Sequence, residues 1–128
     1  RKRHIVVDVL GCLLSVVVHA ANIHDTKGGI STAKQTFERY PCIQKFCADA
    51  GYRGTFVSDV KEQFGLDVDI SEKIKPRQWE KLPWRWVVER TFSWLNHSSR
   101  LSKDYEISIS SSVSIVKISH IHTLIKRL

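Results

Sequence analysis

The chain has 128 residues and a mass of 14.7 kDa, enough for one domain that buries about two thirds of its unfolded surface without a disulfide or a metal. Apolar residues make up 42% and charged residues 26%, a composition that excludes wholesale disorder. The longest apolar stretch, residues 9–21, is cut by Gly11, Ser15 and His19 and is too short to cross a bilayer.

Lys and Arg total 20 against 13 Asp and Glu, a net charge of +7 and a pI near 9.5. Residues 1–70 hold nine basic and eight acidic side chains, and residues 71–128 hold eleven and five. A polyanion would therefore meet most of its electrostatic attraction in the second half. Cys12, Cys42 and Cys47 are odd in number and form no C-x-x-C pair, so buried thiols are expected rather than a disulfide framework or a zinc site. The chain has no Met and starts at Arg1, followed by Lys2 and Arg3 and then strand-like sequence with no cleavage site. An incomplete or processed N-terminus is expected, with no secretory signal.

In chain order, residues 4–10 and 13–18 are β-branched and apolar around Gly11-Cys12, and read as a hairpin deep in a sheet. Residues 22–29, ending in Gly28-Gly29, read as a loop. A helix follows over 30–40, with Ser31 or Thr32 as cap and Pro41 as stop. A strand at 45–48 carries Asp49 at its C-terminal end, and Gly51 and Gly54 bracket a turn. The next helix, 55–64, has Phe56, Val60 and Phe64 on one face, and Gly65 closes it. A strand covers 66–70, and a polar, basic excursion covers 71–83.

Residues 84–97 give the clearest helical pattern. Trp84, Val87, Val88, Thr91 and Leu95 share an apolar face, and Arg85, Glu89, Ser93 and Asn96 form a polar stripe. After serines 108–112 comes a last helix over 113–126, with Ile118, Ile121, Ile125 and Leu128 as its expected apolar stripe. The order β-β-α-β-α-β-α-α describes a single mixed α/β domain over residues 1–128.

No phosphate-binding glycine loop, G-x-S-x-G or H-E-x-x-H motif is present. His120 and His122 fall on different sides of a helix, and none of the six histidines is expected to ligate a metal. Asp49 has two readings. A carboxylate at a strand's C-terminal end, followed by Ala50 and Gly51, can reach a metal ion; Asp-Ala-Gly is also good turn chemistry. Glu89 is either a helix-surface partner of Arg85 at i−4 or a metal ligand on a helix facing the sheet. Two such carboxylates suit Mg²⁺, an oxygen-seeking cation, and paired ions promote phosphodiester transfer. Trp79, Trp84, Trp86 and Trp94 cluster within sixteen residues. Core packing and helix cover are expected of them more than base stacking.

Five segments carry a family resemblance. They are Lys2-Arg3-His4-Ile5-Val6-Val7-Asp8 with Gly11, His19-Ala20-Ala21-Asn22-Ile23-His24-Asp25, Ala48-Asp49-Ala50-Gly51-Tyr52-Arg53-Gly54, residues 85–95 (Arg-Trp-Val-Val-Glu-Arg-Thr-Phe-Ser-Trp-Leu), and Arg100-Leu101-Ser102-Lys103-Asp104-Tyr105-Glu106. In this order they resemble the DDE transposases of bacterial insertion sequences, in the group usually numbered five. The resemblance implies a ribonuclease-H-like mixed sheet flanked by helices, cleaving and joining DNA strands at insertion-sequence ends with Mg²⁺ or Mn²⁺. It implies DNA partners (transposon ends and target), a homo-oligomer, no membrane, and a cytoplasmic, nucleoid-associated location.

On that pattern Asp49 matches the second Asp and Glu89 the Glu, both as catalytic metal ligands. Arg85 matches the signature arginine, and Arg85, Arg90, Arg100 and Lys103 are the expected DNA contacts. The signature's tyrosine falls on Leu82, its later basic residue on Asn96, and Ser98-Ser99-Arg100 is less basic than the family's run. The family's first Asp lies on a strand upstream of Lys2-Arg3-His4; Asp8 and Asp25 match other positions. The sheet is therefore expected to lack its first strand, and the chain alone to be inactive. The alternatives are a non-catalytic remnant serving at most as a basic DNA-binding module, and a basic α/β binding module unrelated to transposition.

Overall fold

The computed structural model describes residues 1–71 and 84–128. Strands β1 (Lys2–Val7) and β2 (Leu13–His19) form an antiparallel hairpin in which His4 faces Val17 and Val6 faces Ser15, with a bulge after Val6. Helix α1 (Asp25–Arg39) follows, then β3 (Lys45–Asp49), a 3-10 turn (Ala50–Tyr52), α2 (Thr55–Phe64) and β4 (Asp67–Ser71). Helix α3 (Arg85–Asn96), a second 3-10 turn (Ser99–Leu101) and α4 (Ile109–Ile125) complete the order, which is the one expected. The excursion over 72–83, with Trp79 and Leu82, lies outside the described residues.

Strands β3 and β4 are parallel, Phe46 opposite Val68 and Asp49 opposite Ser71, with α2 as the crossover that parallel strands require. Among the described residues the expected single mixed sheet is thus two separate sheets of two strands. β1 pairs with β2, and β3 with β4. The two sheets are joined by packing: α3 lies against both β1 and β3, and Val6 packs on the cluster of Ala33, Phe46, Phe56 and Val60.

Period-two alternation sorts the hairpin's side chains onto two faces. One face meets α1: the Ser15 hydroxyl donates to the Thr32 carbonyl, and His4 and His19 lie on Gly28. The other meets α3 and α4, where Val16, Val18, Leu95, Leu101 and Val116 form a second buried cluster. Helix α2 is placed as its spacing predicts, with Phe56 and Val60 buried and Gly65 ending it in the left-handed conformation at φ 65°.

Four expectations are corrected. β1 stops at Val7, and Asp8 turns the chain by accepting from the Leu10 and Cys12 amides; Val9 and Leu10 are exposed instead of deep in a sheet. Helix α1 starts at Asp25, capped by His24 and not by Ser31 or Thr32, so Gly28-Gly29 is helical. The reason is space. A Cβ on Gly28 would sit 2.1 Å from His19 Nε2, and one on Gly29 would sit 2.5 Å from the Tyr52 ring. The glycines mark close approach here and not a loop.

Third, α4 is turned opposite to its expected stripe. Ile118, Ile121, Ile125 and Leu128 are exposed, and Ser112, Val116, Ser119 and His120 are buried. Two polar groups of that face have partners: Ser119 donates to Ser98 Oγ, and His120 Nε2 accepts from the Leu13 amide. Fourth, the thiols are not buried, since Cys42 and Cys47 are exposed and Cys12 is half-buried.

Candidate functional site

Asp49 closes β3 and caps the 3-10 turn, its Oδ1 accepting from the Gly51 amide at 2.9 Å. Its side chain is at the surface. Glu89 lies in the second turn of α3, also exposed, and its Oε1 accepts from Arg85 Nε at 2.8 Å. Both local geometries are those of the simpler reading: a turn aspartate and an i, i+4 ion pair. The fold nevertheless sets the two elements against each other, because α3 packs on β3. Among the described residues no group of three or more His, Cys, Asp and Glu stands close enough to hold a metal ion. The donors fit Mg²⁺ in kind, as exposed carboxylate oxygens, and do not by themselves complete a three-carboxylate set.

The expected DNA contacts divide. Arg85 is held by Glu89. Arg90 is enclosed, its guanidinium 4.5 Å from the Trp86 ring and 4.7 Å from the Trp94 ring, with Nη2 donating to the Leu10 carbonyl at 2.8 Å. Arg127 also lies over the Trp94 ring, at 3.9 Å. Arg90 thus fastens α3 to the turn of the hairpin; of the tryptophans, Trp84 and Trp86 stay about half exposed instead of packing in the core, and Trp79 lies outside the described residues. Arg100 pairs with Glu106 across a short exposed link. Lys103 lines a shallow hollow with Arg1, Arg3, Phe92, Leu101 and Asp104, where Asp104 pairs with Arg1 at 3.5 Å.

One cluster was not legible in the sequence. His4 Nδ1 and Tyr52 Oη are 2.6 Å apart, joining β1 to the turn that follows Asp49. The His19 ring stacks on His4 with centroids 4.6 Å apart. Burial, followed by the neighbouring His19, holds His4 below the usual histidine range. Burial, then the charges of Asp49 and Asp25, pushes the Tyr52 phenol up to about 12. A neutral imidazole therefore meets a protonated phenol. The only available signal was the glycine pair: two adjacent glycines where a helix could begin leave room for rings.

A family model for the transposase DDE domain matches residues 1–124. The chain belongs to that family. No match was found among curated proteins or among solved structures. For this DDE-domain chain, membership agrees with the mixed α/β architecture of small sheets and four α-helices among the described residues. No helix among the described residues is long and apolar enough to cross a membrane.

Proposed function

We propose that this chain is part of the catalytic domain of an insertion-sequence transposase. In this reading Asp49 and Glu89 are two of the three carboxylates that hold Mg²⁺ or Mn²⁺, and the domain is ribonuclease-H-like. The observation that carries the reading is the packing of α3 against β3, which brings a helix bearing one exposed carboxylate onto a strand ending in another, in a chain matched by the DDE model. When bound, the metal would activate the attacking oxygen and steady the leaving one in phosphodiester transfer.

Neither Asp8 nor Asp25 is assigned as the family's first Asp. The 128 residues alone are expected to be inactive. Lys103 and Arg100 contact the DNA backbone, and the basic second half supplies the general attraction. The protein works in the bacterial cytoplasm at the nucleoid, on transposon ends and target DNA, as a homo-oligomer.

A Mn²⁺ titration followed by electron paramagnetic resonance tests the metal reading. Asp49→Asn and Glu89→Gln are each expected to weaken binding by about tenfold or more. Equal affinity in both variants would remove these residues from a metal site. Strand cleavage of end DNA by the unaided chain, at rates like those of a longer relative, would refute its inactivity. The second reading, a non-catalytic remnant that binds DNA, is favoured by the lack of a three-ligand cluster among the described residues. It expects salt-sensitive DNA binding with no response to Mn²⁺.

A further inference from the structure

We propose that His4 and Tyr52 are positioning residues that set the Asp49 turn, so that β1 fixes the orientation of a carboxylate at the end of β3. The function assigned to that carboxylate rests on the reading above; the positioning itself does not.

The connection can be followed atom by atom. Asp49 Oδ1 accepts from the Gly51 amide at 2.9 Å, which ties the carboxylate's rotamer to the path of the 3-10 turn. Tyr52 ends that turn. Its hydroxyl is 2.6 Å from His4 Nδ1, and its ring rests on Gly29, where a Cβ would come within 2.5 Å, and beside Phe56 at 5.2 Å. Asp49 and Gly51 are surface-exposed, while Tyr52 packs inward against the cluster of Ala33, Phe46, Phe56 and Val60.

His4 is in turn held. Its residue is 6% exposed and that of His19 is 8%, and the two rings stack at 22°. The His19 Nδ1 lies 2.9 Å from the Ala20 carbonyl. A carbonyl only accepts, so this nitrogen carries the proton. Among the described residues the Nε2 atoms of both rings are buried without a hydrogen-bond partner, and they lie against Gly28. Burying two such nitrogens costs free energy, and an apolar ring at position 4 would pack on α1 without that cost. The Tyr52 hydrogen bond is what an imidazole supplies and an apolar ring does not. Three of the segments that carry the family resemblance each place one ring here: His4, His19 and Tyr52.

The test uses the 128-residue chain labelled with ¹⁵N. Backbone order parameters at Gly51 and Tyr52 are expected near the rigid value of about 0.85 in the wild type and below about 0.6 in Tyr52→Phe. The values at Val60 and Val116, in the two buried clusters, should be unchanged. His4→Phe should repeat the loss. His4→Asn, whose amide can reach the same hydroxyl, should restore order. With Mg²⁺ added, Tyr52→Phe should weaken the shift response of Gly51 about tenfold, and His4→Asn should recover it. Rigid Gly51 in Tyr52→Phe overturns the proposal, as does a loss of order that extends equally to Val60 and Val116. A wild type with no Mg²⁺ response, or one whose response survives Asp49→Asn, rejects the metal reading, and the metal-free order parameters still decide the positioning.

Discussion

The Thr91 hydroxyl donates to the Gly11 carbonyl at 3.0 Å, and a Cβ on Gly11 would lie 2.9 Å from that same oxygen. The hairpin turn therefore touches α3 backbone to side chain, with no room for another atom, and Gly11 has φ 86°. Gly11→Ala is expected to destabilise the chain by about 1–3 kcal/mol through left-handed strain and the contact. Thr91→Val keeps the shape, removes the donor to a buried carbonyl and should cost about 1–2 kcal/mol. Urea denaturation measures both. A neutral Gly11→Ala would mean that the turn does not dock as described.

Gly28 gives a reversal of sign. In an exposed helix interior Gly→Ala stabilises by about 1 kcal/mol. Here the added methyl would be 2.1 Å from His19 Nε2 and 2.5 Å from His4 Nε2, and two stacked, buried rings cannot both move aside. Gly28→Ala should instead lower stability by about 1–3 kcal/mol, read as a lower midpoint in thermal denaturation. A rise in the midpoint would contradict the close packing of the rings on α1.

The order of elements was legible because nearly continuous β-branched runs, most clearly at β2, give way to apolar spacing of three to four residues at α2 and α3. Two positions were illegible for physical reasons. Gly28-Gly29 has the composition of a loop, but it lies within α1, and the rings brought from β1, β2 and the Asp49 turn leave no room for a Cβ there. In α4 the isoleucines outnumber the buried apolar residues, so the pattern points to the wrong face. What decides the orientation is that Ser119 and His120 reach partners on Ser98 and Leu13, contacts between segments far apart in sequence. At the candidate site, the local environments of Asp49 and Glu89 were readable from turn chemistry and i, i+4 spacing. The His4–Tyr52 link, spanning 48 positions, was not.

The orientation of α4 can be tested directly. Ile121→Lys and Ile125→Lys, on the exposed stripe, should change stability by no more than about 0.5 kcal/mol. Val116→Ala, on the fully buried side, should cost about 2 kcal/mol from lost apolar burial and the cavity left behind. The opposite ranking in chemical denaturation would mean that the isoleucines face the core.

Arg90 and Lys103 should separate in DNA binding. Arg90→Ala removes the cation between Trp86 and Trp94 and the bond to Leu10, so it should lower stability by about 1–3 kcal/mol. The salt slope of DNA affinity should stay as in the wild type. Lys103→Ala should leave stability nearly unchanged and reduce that slope by about one. A reduced slope in Arg90→Ala with unchanged stability would assign Arg90 to the DNA interface.

Acid should weaken the fold through its buried histidines. His4 faces His19, Lys2, Asp25 and Tyr52, and its pKa is lowered, chiefly by burial. His120 faces Asp8, and burial lowers it too. A group whose pKa is depressed on folding binds fewer protons in the native than in the unfolded chain, so stability rises with pH across its titration. The stabilising share is complete above the unfolded value of 6.5 and is lost as pH falls through the folded values. Asp25 and Asp67 are lowered by their lysine partners, so their contribution is lost only in stronger acid, below the usual carboxylate range. Between about pH 7.5 and about pH 5 the histidines therefore set the trend. Protonating His120 at Nε2 also removes the acceptor of the Leu13 amide. The melting temperature should fall over this range, and less steeply in His120→Gln and His4→Asn than in the wild type. A wild-type chain as stable at about pH 5 as at about pH 7.5 would mean that these imidazoles reach solvent when protonated.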